Sequence, residues 1–163
     1  MVNNSNNVNE DRVNKSCAVF RLCEEKDLPA VMELDREAFF DPWSRETWLR
    51  EIRNPIAVWI VETADSNIVG FAGLWNVAGE AQVMRVAVRK ALRNRGLGLL
   101  LTQELINMAW ESGAEAVTLE VRESNAAARR VYERCGFVSS GVRPDYYEDT
   151  HEGAVIMWLY RKQ

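Results

Sequence analysis

The hydrophobic pattern changes period between Val86 and Met108, and that change constrains the fold more than any other feature of the chain. Val86-Ala87-Val88 ends an apolar run of strand type. Leu97, Leu101, Leu105 and Met108 then recur at helical spacing, with Leu100 and Ile106 widening the stripe until Gly113 stops it. The connection is a basic loop, Arg89-Lys90-Ala91-Leu92-Arg93-Asn94-Arg95-Gly96. A strand joined this closely to an amphipathic helix buries the apolar stripe by laying the helix against the sheet, which requires a layered α/β architecture.

The rest of the chain supplies the other strands and helices. Residues 18–23 read as a short strand. Asp27 is placed to cap a helix with Pro29 in its first turn and Leu28, Val31, Met32 and Leu34 on its apolar side, and Asp41-Pro42-Trp43-Ser44 breaks that helix. Ser44 caps a second helix that ends before Asn54-Pro55. Residues 57–62 and 68–75 form a hairpin about Asp65-Ser66-Asn67, and a third run over 82–88 follows the Ala78-Gly79 turn. Val117, Leu119 and Val121 alternate with Thr118, Glu120 and Arg122, the pattern of a strand with one apolar and one polar face. Residues 125–134 form a further helix stopped by Gly136, and 137–142 and 154–160 are closing strands on either side of the 144–153 loop. The predicted order, β-α-α-β-β-β-α-β-α-β-β, is an α/β fold with a mixed, mostly antiparallel central sheet flanked by helices. The tryptophans fall mostly at core phases; Trp43, in a proline-containing loop, is the exception.

Composition narrows the classes of function. At 163 residues, 47% hydrophobic and 27% charged, the chain suits one domain with a sizeable core, expected over residues 17–163. Residues 1–16 hold six Asn and little apolar surface to offset ordering entropy, and are expected to form a disordered tail. A net charge of −4 argues against direct nucleic-acid binding through a broad basic face. No run approaches the roughly 18 apolar residues of a membrane span and no apolar signal segment opens the chain, so the expectation is a cytoplasmic protein with no membrane partner. Cys17, Cys23 and Cys135 are odd in number and widely spaced, which fits reduced thiols better than disulfides or zinc ligands. With His151 as the single histidine, no metal site is expected.

The basic loop has a chemistry of its own. N–H groups at a helix N-terminus lack acceptors and carry partial positive charge, so the helix that starts after Gly96 can receive an anion. Gly96 and Gly98 remove side chains that would hold a diphosphate off the backbone, and four of the seven residues 89–95 are basic. Neither common nucleotide motif applies: no Gly-Lys-Ser/Thr follows, and Leu101 stands where a dinucleotide fingerprint needs its third glycine. Taken alone, the segment also fits a glycine-kinked turn with solvated arginines.

Arg93, Gly96 and Gly98 match the Arg/Gln-x-x-Gly-x-Gly/Ala signature of the GCN5-related N-acetyltransferases. The chain resembles that family over roughly residues 18–160, most closely its ribosomal-protein-alanine N-acetyltransferases. A second block agrees, Leu119-Glu120-Val121-Arg122-Glu123-Ser124-Asn125 followed by Val131-Tyr132-Glu133-Arg134-Cys135-Gly136-Phe137. Asp41-Pro42-Trp43-Ser44 and Arg143-Pro144-Asp145-Tyr146-Tyr147 are similar to the loops that meet substrate in that subfamily. The resemblance implies the acyl-CoA N-acyltransferase fold with acetyl-CoA as cosubstrate and no metal. It places the pyrophosphate on Arg93, Asn94, Arg95, Gly96, Leu97, Gly98 and Leu99. The pantetheine arm falls on the backbone of Val86, Ala87 and Val88 and on Asn125, and the substrate meets Trp43, Tyr146 and Tyr147. Two positions depart from the pattern: Lys90 stands where many relatives have Pro, and Arg85 where an apolar residue or Asn is common. Both bear on substrate preference more than on cofactor binding.

Acyl transfer from a thioester to an amine needs a free amine lone pair, a stabilised oxyanion and a proton for the leaving thiolate. Glu120, on the polar phase of its strand, can accept the proton of the amine, and the resemblance implies that role. Alternation alone also places a solvated glutamate there, and Glu80 is the rival base. Tyr132, about two turns beyond Asn125, can donate to the thiolate; the resemblance makes it the general acid, where a helical Tyr on its own is commonly a packing residue. Asn125 also suits a helix cap. Cys135, before Gly-Phe at a helix end, reads as packing, and His151, in a polar loop, as solvated.

The reading that follows is an enzyme that acetylates the N-terminal amine of a protein. The substrate the subfamily implies is a small-subunit ribosomal protein that begins with Ala. The alternatives are the same cofactor site serving a small-molecule amine or a Lys side chain, and a non-catalytic acyl-CoA sensor that would need neither Glu120 nor Tyr132.

Overall fold

The computed structural model describes residues 18–162, so the expected tail over residues 1–16 lies outside the described residues. The chain builds β1 (Val19–Leu22), α1 (Leu28–Ala38), α2 (Arg45–Arg53), β2 (Ala57–Ala64), β3 (Asn67–Val77), β4 (Glu80–Val88), α3 (Leu97–Glu111), β5 (Ala116–Arg122), α4 (Ala126–Arg134), β6 (Val138–Arg143) and β7 (Ala154–Tyr160). The strands form a single seven-stranded sheet in the order β1-β2-β3-β4-β5-β7-β6. Every pairing is antiparallel except that of β4 with β5. This is the predicted mixed, mostly antiparallel sheet.

The turns follow from local chemistry. β2 and β3 are joined through Asp65 and Ser66, and β3 and β4 through Ala78 and Gly79, each a two-residue connection with positive φ at both positions. That geometry matches the right-handed twist of the flanking strands. Ser44 accepts the N–H of Thr47 to cap α2, as its sequence context predicts. Asp27 behaves differently. It precedes α1, but its carboxylate turns back to accept the N–H of Glu24 (2.8 Å) and both guanidinium nitrogens of Arg21 (2.6 and 2.8 Å). The buried carboxylate gains more from a charge-assisted fork than from one helix amide, so it closes a 3-10 turn over Glu25–Asp27 and ties β1 to the start of α1.

Each face of the sheet carries its own core. On one side Leu101, Leu105 and Ala109 of α3 meet Ile60, Leu74, Val117, Leu119 and Met157. On the other Leu28, Val31 and Leu34 of α1 and Trp48 of α2 meet Trp59, Val61, Phe71 and Ala87. The second core is aromatic: Trp48 lies 4.8 Å from Trp59 and 5.2 Å from Phe71, both edge to face. Only Trp48 and Trp59 of the six tryptophans are buried; Trp43, Trp75, Trp110 and Trp158 are half-buried, fewer at core positions than their phases predict. Size accounts for Trp75, whose ring N–H reaches Glu51 at the protein surface (2.8 Å). Among the described residues no helix is long and apolar enough to cross a membrane.

Two core positions carry testable consequences. The Cβ of an alanine at Gly73 would lie 2.1 Å from the Trp59 ring. Gly73→Ala should therefore destabilise the fold by roughly 1–3 kcal/mol, read as a lower midpoint in urea. Glu62 on β2 is fully buried, and neither carboxyl oxygen has a hydrogen-bond partner among the described residues. Burial pushes its pKa from 4.5 up to about 7. Across that window the folded state keeps a proton that the unfolded state has released, so stability falls as pH rises from about 4.5 to 7 and levels off above it. Glu62→Gln should flatten that slope and stabilise the protein most at pH 7–8, measured as urea midpoints of both proteins over pH 5–8.

Candidate active site

β4 and β5 are paired over only three residues, Glu80–Gln82 against Ala116–Thr118. Beyond them the two strands part. The register with β3 shows why: Leu74 pairs with Val83 and Gly73 with Arg85, so Met84 is an extra residue that bends β4. Arg89 donates its N–H to Val69 (2.8 Å), and opposed residues alternate in an antiparallel pair. Ala87 therefore also faces β3, while Val86 and Val88 point their backbone groups into the gap. The Val86 and Val88 side chains pack on the first core, and Ala87 is buried in the second. Ala87 contributes to the strand but not to its open edge. The Val88 carbonyl receives the Nε–H of Arg93 (3.0 Å), which draws that side chain back over the strand end.

The loop after β4 delivers the start of α3 to the same gap. Asn94 and Gly96 adopt left-handed conformations, φ 62° and 84°, and Gly96 occupies the N-cap position. Leu100 donates its N–H to Gly96 (3.2 Å), so the amides ahead of it, on Leu97, Gly98 and Leu99, have no helical acceptor. A Cβ at Gly98 would meet nothing closer than Val88 Cγ2 at 3.8 Å. Packing within the protein does not require a glycine there, and the space it leaves suits a diphosphate against bare amides. Arg93, Asn94, Arg95 and Gly96 are exposed beside it. Arg89 is committed elsewhere, to Glu33 (3.1 Å) and Glu37 (3.8 Å) of α1, and the Lys90 N–H is held by Glu37.

On the other side of the gap the chemistry-bearing groups come from β5, α4 and the β6–β7 loop. Glu120 points from β5 with its side chain 14% exposed, and Arg143 Nε lies 3.2 Å from its carboxylate. The neighbouring Glu120 carboxylate, with burial, pushes Tyr146 up to about 12. Burial pushes Tyr132 of α4 up to about 12 as well, with Tyr147 and Cys135 adding to the shift. Tyr147 is raised by burial and stacks under the Arg122 guanidinium at 3.8 Å. Arg122 in turn grips Asp149 with NH2 (2.8 and 2.9 Å) and Thr150 with NH1 (2.9 Å), which fixes the loop. Asn125 caps α4 by accepting the Ala128 N–H (3.1 Å).

Other candidates fall away from this group. Glu80 pairs with Ala116, four residues before Glu120, which puts it about 13 Å back at the closed end of the gap. Burial raises the Cys135 thiol, which keeps it unreactive at neutral pH. His151 is exposed and bonded to Asp145 (2.8 Å). Among the described residues no group of metal-ligating side chains converges. Trp43 stands instead on the β4 flank, half-buried against Trp48 and Trp59, at 5.0 and 5.5 Å, and 4.3 Å from the guanidinium of Arg85.

Sequence reasoning singled out Arg85 as a departure bearing on substrate preference but missed its partner, and it gave no role to Arg143 on Glu120 or to Arg122 on the tyrosine loop. Arg85 is 6% exposed and pairs with the fully buried Asp35 (2.7 Å). The available signal was a charged residue at an inward phase on each of two elements, an Arg within Val83-Met84-Arg85-Val86 and an Asp beside Leu34.

A sheet split between two strands, with an anion-accepting helix start on one flank and a carboxylate and phenols on the other, defines an enzyme that brings a phosphate-bearing donor to an acceptor. Residues 28–137 match the acetyltransferase (GNAT) family model, and the chain belongs to that family of acetyl-transferring enzymes. The [ribosomal protein bS18]-alanine N-acetyltransferase of Salmonella typhimurium is 36% identical over 135 residues, 82% of this chain and 90% of that protein. The crystal structure of the Escherichia coli ribosomal-protein-S18-alanine N-acetyltransferase superposes with a TM-score of 0.81 at 32% identity, covering 90% of this chain and 95% of that one. The yncA protein of Salmonella typhimurium, solved with acetyl-CoA, shares the fold at a TM-score of 0.78 and 19% identity, covering 91% and 96%.

Gly98→Ala separates the cradle from the scaffold. Alanine is favoured in a helix by up to about 1 kcal/mol and meets no clash here. The variant should hold or raise the thermal midpoint while weakening acetyl-CoA binding at least tenfold by calorimetry.

Proposed function

We propose that the protein is an Nα-acetyltransferase that moves the acetyl group of acetyl-CoA to the N-terminal alanine amine of a small-subunit ribosomal protein. The observation that carries this reading is the convergence of Glu120, Tyr132, Tyr146 and Tyr147 where β4 and β5 part. The relatives named for bS18 alanine acetylation support the acceptor. An α-amine, with a pKa near ~8, is neutral roughly 10% of the time at pH 7, against less than ~0.1% for a Lys side chain. The net charge of −4 favours encounter with a basic acceptor. The expected compartment is the cytoplasm, where the buried Cys23 and half-buried Cys135 thiols stay reduced.

The Leu97–Leu99 amides, with Arg93, Asn94, Arg95 and Gly96, hold the diphosphate, and Val86 and Val88 hold the pantetheine arm along the open edge of β4 as an added strand would be held. Asn125 reaches the same arm from the α4 cap. Acetyl-CoA supplies an acetyl group activated as a thioester. Trp43, Tyr146 and Tyr147 border the acceptor. Glu120 takes the proton of the amine as the N–C bond forms, and Tyr132 gives its proton to the departing sulfur as the C–S bond breaks.

Mass spectrometry of two peptides tests the reading, one with a free N-terminal Ala and no Lys, the other N-terminally blocked with one internal Lys. Acetylation of the first alone is expected. Glu120→Gln should lower kcat by about 10²-fold or more and leave acetyl-CoA affinity within twofold. Modification of neither peptide by an enzyme that binds acetyl-CoA would move a small-amine substrate or a sensor role ahead.

A further inference from the structure

We propose that Arg85, which no part of the acetyl-transfer chemistry uses, is the positioning residue of the acceptor-side loop between α1 and α2. The proposal rests on the acceptor site assigned above. Arg85 extends from β4 one residue before Val86, so the strand that holds the donor also carries this side chain. Its NH1 donates to Asp35 Oδ1 (2.7 Å), and its NH2 donates to the Asp41 carbonyl (2.8 Å) and to the Asp41 carboxylate (3.3 Å). The guanidinium carbon lies 4.4 Å from the centre of the Phe39 ring and 4.3 Å from that of Trp43. The second oxygen of Asp35 accepts the N–H of Trp43 (2.7 Å) and the ring N–H of Trp48 (3.3 Å).

Residues 39–43 are thus held at both ends by one buried ion pair, while Phe40 between them is 79% exposed. A loop that presents an exposed aromatic ring from a pinned backbone offers an acceptor a surface that does not have to be ordered on binding. Arginine is the side chain that can do this, because one planar fork bonds to a carboxylate and a carbonyl while its cationic centre rests against two aromatic rings. Asp35 completes the clamp from α1. An Asn or an apolar residue at position 85 could not make these contacts. Loss of Arg85 would therefore fall on how the acceptor is held and not on the chemistry.

The test compares the wild type, Arg85→Lys and the charge-neutral pair Asp35→Asn with Arg85→Gln, which leaves no unpaired buried charge. Peptide KM, kcat and acetyl-CoA Kd are measured for each, with hydrogen exchange of the Phe40, Asp41, Trp43 and Ser44 amides. The double variant should raise KM for the Ala peptide at least tenfold, keep kcat within threefold and acetyl-CoA Kd within twofold, and speed exchange at Trp43. Arg85→Lys keeps the pair with Asp35 but loses the planar stack, and should raise KM by about threefold with the same split; it carries the test alone if the double variant does not fold. An unchanged KM, unchanged exchange, or a parallel loss of kcat and acetyl-CoA affinity overturns the proposal. A wild-type enzyme that leaves the Ala peptide unmodified overturns the acceptor assignment itself, before any variant is compared.

Discussion

The three-residue limit on pairing between β4 and β5 is the constraint from which the rest of the molecule follows. A parallel pair in the middle of a sheet ordinarily runs on, because each backbone N–H and C=O left unpaired away from water costs free energy. Here the extra residue at Met84 bends β4 out of line, and β5 continues into β7 with unbroken pairing from Ala116 to Arg122. The central sheet is therefore two half-sheets that share a short seam. The gap between them exposes the backbone of Val86 and Val88, and the loop leaving β4 has nowhere to start its helix except beside that gap.

Separate cores let the two half-sheets part without weakening the whole. α3 lies across the seam on one face, joining β2, β3 and β4 to the core that holds β5 and β7. Among the described residues the other face has no such bridge. The α1–α2 layer belongs to β2, β3 and β4, packed around the Trp48–Trp59–Phe71 cluster, and it reaches the rim of the gap through the Asp35–Arg85 pair. A buried ion pair is a weak source of stability by itself, since taking both charges out of water offsets much of their attraction. Its contribution here is geometric: four further hydrogen bonds and two aromatic faces converge on the two side chains and define one position for the loop.

Much of this was legible in the sequence because it is local. The period change after Val88, the positive-φ turns at Asp65-Ser66 and Ala78-Gly79, the Ser44 cap and the Gly113 and Gly136 stops are decided by neighbours a few residues apart. The bare helix start at Gly98 was legible for the same reason. What could not be read mostly involves partners far apart in the chain. Asp35 waits for Arg85 fifty residues on, and Glu120 meets Arg143 only once β6 and β7 have folded; Asp27 abandons the helix cap for Arg21 only six residues away, a choice between two local partners. The bulge at Met84 belongs with these, since a strand pattern does not say which residue its neighbour will skip. It decides that Val86 and Val88, and not Ala87, face the gap.

The protonation chemistry of the site follows from the same packing. Tyr132, Tyr146 and Tyr147 all hold their protons more tightly than a free phenol, the first and third mainly through burial and the second mainly through the Glu120 carboxylate beside it. At neutral pH these phenols are protonated and have a proton to give. The Glu120 carboxylate faces Arg143 Nε at 3.2 Å. In the proposed reaction an incoming amine joins or displaces Arg143 at Glu120 to deliver its proton, whereas a departing thiolate meets a phenol that is already protonated. The proposed direction of the proton is then from acceptor to Glu120 and from Tyr132 to the leaving group. It arises because α4 and the β6–β7 loop bury phenols against one flank of β5 while the splay keeps the Glu120 carboxylate within reach of the opening.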